Sequence, residues 1–74
     1  MAKDSQRQLG PLGKKIREQR LKKKLSQEQL AERAMLDRTY ISLVERGRRN
    51  PSYLNLLKIA RGLEVRLGAL IDQP

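Results

Sequence analysis

Leu25-Ser26-Gln27-Glu28-Gln29-Leu30-Ala31-Glu32-Arg33-Ala34-Met35-Leu36-Asp37-Arg38-Thr39-Tyr40-Ile41-Ser42-Leu43-Val44-Glu45-Arg46-Gly47 encodes two short helices joined by a tight turn. Ser26 is placed to cap the first of them, and Gln29, three residues later, to close a capping box. Leu30, Ala31 and Ala34 then share one face. Asp37 is placed to cap the second helix, whose buried stripe is Ile41 and Val44 at i, i+3. That stripe leaves Arg38, Thr39, Ser42, Leu43 and Arg46 facing outward. A short helix with apolar residues beneath it and hydrogen-bonding residues at its N-terminal end is what a DNA major groove accepts.

Working outward, residues 1–11 read as a flexible basic arm and 12–74 as one helix-turn-helix domain. Pro11 suits the first turn of a helix running to about Lys23, with Leu12, Ile16, Gln19 and Arg20 inward. The paired helices cover about Gln27–Ala34 and Arg38–Arg46. Gly47 ends the second of them, and Pro51 prevents easy continuation. Ser52 caps a fourth helix to about Gly62, with Tyr53, Leu56, Leu57, Ala60 and Leu63 as its inward residues. A short fifth helix covers Leu67–Ile71, and residues 72–74 fray. No stretch alternates as a strand would, so the expected class is an all-α, compact five-helix bundle.

Composition narrows the chemistry. With no Phe or Trp, the core of this 74-residue chain must come from Leu, Ile, Val, Ala and Met. The chain has no Cys and no His, which rules out a disulfide, a zinc finger and His-based acid/base catalysis. No metal or cofactor is expected, and no nucleophile–base set is present, so an enzyme is not expected. No apolar run has membrane-spanning length and no signal peptide is visible, so no membrane partner and a cytoplasmic location are expected.

The net charge is +9, and it is unevenly spread. Residues 1–24 hold nine Lys or Arg against Asp4 and Glu18, while the two later thirds are each close to neutral. A second basic cluster is Arg46, Arg48 and Arg49. Lys22-Lys23-Lys24 alone reads as a solvated face; the whole set, beside paired short helices, points to a polyanion.

The last two helices carry more leucine than one stripe needs. Leu54, Ile59, Leu67, Leu70 and Ile71 exceed what so small a core should hide. They read either as scattered exposed apolar residues or as a contiguous dimer patch. The patch is favoured, with Leu54, Leu67, Leu70 and Ile71 at the interface, because one short recognition helix reads few base pairs alone.

Leu25-Ser26-Gln27-Glu28-Gln29-Leu30-Ala31, Leu36-Asp37-Arg38-Thr39-Tyr40-Ile41-Ser42 and Glu45-Arg46-Gly47-Arg48-Arg49-Asn50-Pro51-Ser52 together resemble the Xre/Cro-CI family of bacterial and phage repressors. The resemblance covers about residues 12 to 71 and implies a lambda-repressor-like DNA-binding domain. Within the family, the Asp-Arg-Thr-Tyr-Ile-Ser and Glu-Arg-Gly-Arg-Arg-Asn runs look most like the controller proteins of restriction–modification systems. Lys24, Met35 and Glu64 stand where the family usually has Gly. A left-handed backbone there would cost each side chain on the order of 1 kcal/mol.

The resemblance assigns roles. It places Arg38 and Thr39 at base-reading positions. Arginine can bond guanine through O6 and N7, and threonine can meet a thymine methyl or a base edge. An arginine at a helix N-terminus opposes the dipole, and base readout explains its presence. Ser42 is a polar base or phosphate contact; Leu43 meets a thymine methyl or rests on the surface. Gln27 corresponds to a residue that bonds a phosphate and braces the recognition helix. Tyr40 is partial core or, as the resemblance favours, a phosphate ligand. Arg46 is a phosphate contact, Arg48 or Arg49 a probe of a narrow minor groove, and Arg17 a weaker phosphate candidate. Arg20 and Glu45 correspond to a structural salt bridge behind the recognition helix.

The expected function is a sequence-specific transcriptional regulator that binds a palindromic operator in double-stranded DNA as a homodimer. It would act as a repressor by occlusion, or as an activator by touching RNA polymerase. One alternative is an antitoxin or immunity-type protein working mainly through protein–protein contact; another is the DNA-binding fragment of a longer regulator.

Overall fold

The computed structural model describes residues 2–71, with side chains from Gly10 onward. The chain forms α1 (Ala2–Lys22), α2 (Gln27–Ala34), α3 (Arg38–Glu45), α4 (Tyr53–Leu63) and α5 (Gly68–Ile71), with no strand among the described residues. The expected α2 coincides with the observed one, and the other helix ends lie within two residues of expectation, except the start of α1. That helix begins at Ala2, so the boundary expected at residue 11 falls inside it. Pro11 removes one intrahelical hydrogen bond but is exposed, which puts the missing bond on the solvent side. The side chains of the expected arm and the fraying of residues 72–74 lie outside what is described.

Local chemistry sets the starts of the helices. The Gln29 amide donates to Ser26 Oγ at 3.0 Å while the Ser26 amide donates to Gln29 Oε1 at 2.8 Å, a complete capping box. Asp37 accepts from the Thr39 amide at 3.2 Å, and Ser52 from the Asn55 amide at 3.1 Å. Each satisfies an amide that the helix itself leaves without a partner.

The stops are equally regular. The amides of Leu25, Leu36, Arg48 and Val65 reach back to the carbonyls of Arg20, Ala31, Leu43 and Ala60 at 2.8–3.1 Å. Before each stands a left-handed residue: Lys24, Met35, Gly47 and Glu64, with φ of 58°, 58°, 71° and 59°. Only one of the four is glycine, so three helix ends carry the strain anticipated at those positions.

The core comprises Ile16, Leu25, Leu30, Ala31, Ala34, Ile41, Val44, Leu56, Ile59, Ala60, Leu63 and Leu70. Two expectations are corrected here. Ile59 and Leu70 are fully buried within one chain, so neither is spare surface, and Leu70 cannot supply an interface. Tyr53, expected inward, is 69% exposed. The α4 stripe is Leu56, Ile59, Ala60 and Leu63, a clean i, i+3, i+4, i+7 set. Helix α4 lies against α2, and a Cβ on Gly62 would stand 3.1 Å from Leu30 Cδ1, so Gly62 marks the crossing and turns Ile59 inward.

Gly13 sets the approach of α1 to α3. A Cβ there would lie 2.5 Å from the Glu45 carbonyl oxygen and nearer still to that of Val44. Gly13→Ala is therefore expected to destabilise the fold by about 1–3 kcal/mol, the range for overpacking, even though alanine favours helix. Urea unfolding measures it; a variant as stable as the parent would show that α1 can shift freely.

Candidate nucleic-acid interface

Helix α3 is anchored by Ile41 and Val44, both buried, and by Glu45 at its end. Asp37 caps its start, and its first two residues, Arg38 and Thr39, are exposed. Ser42 and Leu43, one turn on, are half-buried. Arg46 is exposed at the helix end, its Nε donating to the Ser42 carbonyl at 3.4 Å. Arg46, Gly47 and Arg48 line a shallow cleft with Gly10 of α1. Arg17 is exposed on α1.

Tyr40 is half-buried, and both of its ends are engaged. Its hydroxyl accepts from Asn55 Nδ2 at 3.0 Å, and the Arg49 guanidinium carbon stands 5.4 Å from its ring centroid. The ring thus gives Arg49 a cation–π seat. Because the hydroxyl accepts from Asn55, its own proton remains free to be donated outward. Sequence reasoning missed Asn55: it lies 15 residues from Tyr40, and only the packing of α4 brings the two together.

Beneath α3 lies a buried ion pair. Arg20 Nε donates to Glu45 Oε2 at 2.7 Å and Nη2 to Oε1 at 3.1 Å. Arg20 Nη1 donates to the Leu25 carbonyl at 2.8 Å. Gln27, the first residue of α2, is half-buried and donates through Nε2 to Glu45 Oε1 at 3.2 Å. One carboxylate therefore ties together α1, α2 and α3. The expected Arg20–Glu45 partnership is formed, and Gln27, given by the resemblance as a brace of the recognition helix, joins it as a third member.

Of the residues expected at an interface between copies, Leu54 is 60% and Ile71 46% exposed, Leu67 is half-buried and Leu70 is buried. Among the described residues no group of acidic, His or Cys side chains could hold a metal ion, and no helix is long and apolar enough to cross a membrane.

Known proteins share this fold. The helix-turn-helix family model matches residues 16–70. The control protein C.BamHI of Bacillus amyloliquefaciens is 49% identical over 61 residues, covering 81% of this chain and 75% of that protein. The immunity repressor of Bacillus phage phi105 is 39% identical over 62 residues, covering 84% of this chain; the chain spans only 43% of that repressor's length. Among solved structures, the restriction-modification controller protein C.AhdI from Aeromonas hydrophila superposes with a TM-score of 0.83 at 47% identity, covering 84% of this chain and 94% of that one. A capped, outward-facing α3 on this scaffold and these likenesses lead to one conclusion: the chain belongs to the helix-turn-helix family of DNA-binding regulators, in its Xre/Cro-CI branch, and its likeness is to restriction–modification controller proteins.

Proposed function

We propose that this protein regulates transcription, in the manner of a restriction–modification controller, by binding a palindromic operator as a homodimer in the cytoplasm. The observation that carries the reading is the exposure of Arg38 and Thr39 at the capped start of α3, with the rest of that helix held from beneath. In this reading Arg38 and Thr39 contact bases, and Ser42 and Leu43 meet the next base edges. Gln27, Tyr40, Arg46, Arg48, Arg49 and Arg17 hold phosphates around them. The free hydroxyl proton of Tyr40 and the seat it provides for Arg49 support that assignment. Two copies related by a two-fold axis would set their recognition helices about 34 Å apart, matching successive major grooves. The exposed Leu54 and Ile71, with the half-buried Leu67, support self-association through α4 and α5.

Selection of bound sites from random DNA tests the reading; the expected yield is an inverted repeat, and no enriched sequence would refute it. On the selected site, Arg38→Ala should cost about 1–3 kcal/mol of specific affinity and relax preference at one position per half-site. Equal loss on random DNA would remove Arg38 from the base-reading set.

Arg46→Ala should behave differently. It should weaken binding to all sequences alike and flatten the plot of log K against log salt by about one unit. An unchanged slope with an altered base preference would show that Arg46 reads bases.

A further inference from the structure

We infer that Lys24, the left-handed residue between α1 and α2, is a DNA-backbone contact: its ammonium holds a phosphate next to those bound at the start of α2. The inference rests on the DNA-binding reading above and adds to it a residue from outside the paired helices.

Lys24 has a φ of 58°, a conformation that a Cβ disfavours and that glycine adopts without strain. Strain of this kind persists where something else gains from the side chain. Inside the fold Lys24 gains nothing: it is exposed, and among the described residues its ammonium has no hydrogen bond or ion pair. The backbone around it is nevertheless fixed. The Lys24 amide donates to the Leu21 carbonyl at 3.0 Å and the Leu25 amide to that of Arg20 at 3.1 Å. The Leu25 carbonyl in turn accepts from the buried Arg20 guanidinium at 2.8 Å. Lys24 is therefore held in a set place beside Gln27, which lies three residues on and so within about 11 Å along the chain. Charges on one DNA strand recur about every 3.4 Å along the axis, so a flexible lysine at that distance reaches a neighbouring phosphate.

The other two left-handed side chains differ in charge according to their place. Met35 and Glu64 have φ of 58° and 59°. Met35 follows the last residue of α2. Glu64 follows α4, whose Gly62 packs against Leu30, Arg33 and Ala34. Both thus stand at the end of α2 remote from Gln27, about 12 Å away along that helix. The neutral and acidic residues occupy the remote end, and the cation occupies the end that faces phosphate.

The test compares Lys24→Gly, Glu64→Gly and Lys22→Gln with the parent, in urea unfolding and in binding to the selected duplex and a random one over a range of salt. Lys24→Gly should become more stable and bind less well. Its urea midpoint should rise as the strain is relieved. Its affinity should fall about three- to tenfold on both duplexes near about 0.1 M salt, with the slope of log K against log salt reduced by about 0.9. Base preference should not change. Glu64→Gly should also raise the midpoint, with no loss of binding. Lys22→Gln removes a cation from the same exposed run and should change the slope by less than half as much. A parental slope in Lys24→Gly would overturn the inference, as would an equal loss in Lys22→Gln, the sign of diffuse charge rather than a set contact. A midpoint that fails to rise would remove the strain on which it stands. Ethylation of single phosphates gives a second readout: one position per half-site should weaken the parent and leave Lys24→Gly unaffected, and identical interference patterns would overturn the inference. Failure of the parent to bind any selected site would refute the DNA-binding reading itself, a different result from an unchanged slope on a site that is bound.

Discussion

Arg20→Ala is expected to lower the free energy of unfolding by about 3–5 kcal/mol, the cost of leaving one member of a buried ion pair alone. Both partners are 8% exposed, so the Glu45 side chain would lose its ion-pair partner where water has little access. The same change strips a hydrogen bond from the Leu25 carbonyl at the α1–α2 turn. For a domain whose total stability is about 5–15 kcal/mol, the loss would leave a large unfolded fraction at moderate temperature. Urea unfolding followed by circular dichroism is the measurement. Replacing both partners at once, as Arg20→Met with Glu45→Leu, should recover much of the loss, because the penalty comes from the orphaned charge. A loss below about 1 kcal/mol for Arg20→Ala, the level of an exposed pair, would contradict the buried network.

Leu70→Glu should abolish cooperative folding, whereas Ile71→Glu should leave a folded chain. The two neighbours differ in exposure, 0% against 46%. Leu70 belongs to the core cluster, on the short helix that packs against α1. Truncating it to alanine alone should cost about 2–5 kcal/mol, and a buried unpaired carboxylate adds to that. Ile71→Glu should change stability by no more than about 0.5 kcal/mol. In the homodimer proposed above, it should shift sedimentation toward the monomer and weaken operator binding. A folded Leu70→Glu variant would mean that α5 does not close the core. An Ile71→Glu variant with unchanged sedimentation would remove Ile71 from the interface.

These pairs show where sequence and tertiary structure divide. The caps Ser26, Asp37 and Ser52 were legible because each acts on an amide two or three residues away. For the same reason α2 could be bounded to the residue, whereas the left-handed backbone at Lys24, Met35 and Glu64 was anticipated only from the resemblance, since the family usually has Gly there. The outward set on α3 followed from the two-residue stripe of Ile41 and Val44, since a helix with a known inside has a known outside. The amino-acid sequence by itself therefore determined an all-α chain, its paired short helices, and which residues they expose.

How the helices cross was decided only in three dimensions. Helical periodicity admits both Leu57 and Ile59 as neighbours of the Leu56 and Ala60 stripe; the contact of Gly62 with Leu30 selects Ile59. Gly13 could be read as a weak point in a helix until the carbonyls of Val44 and Glu45 were found against it. Leu70 is apolar in either setting, and it is buried once α5 packs against α1. Asn55 with Tyr40, and Gln27 with Glu45, are separated by 15 and 18 residues. Local propensity acts over a turn or two of chain, whereas these contacts depend on the angle and distance between helices, which the whole core sets together.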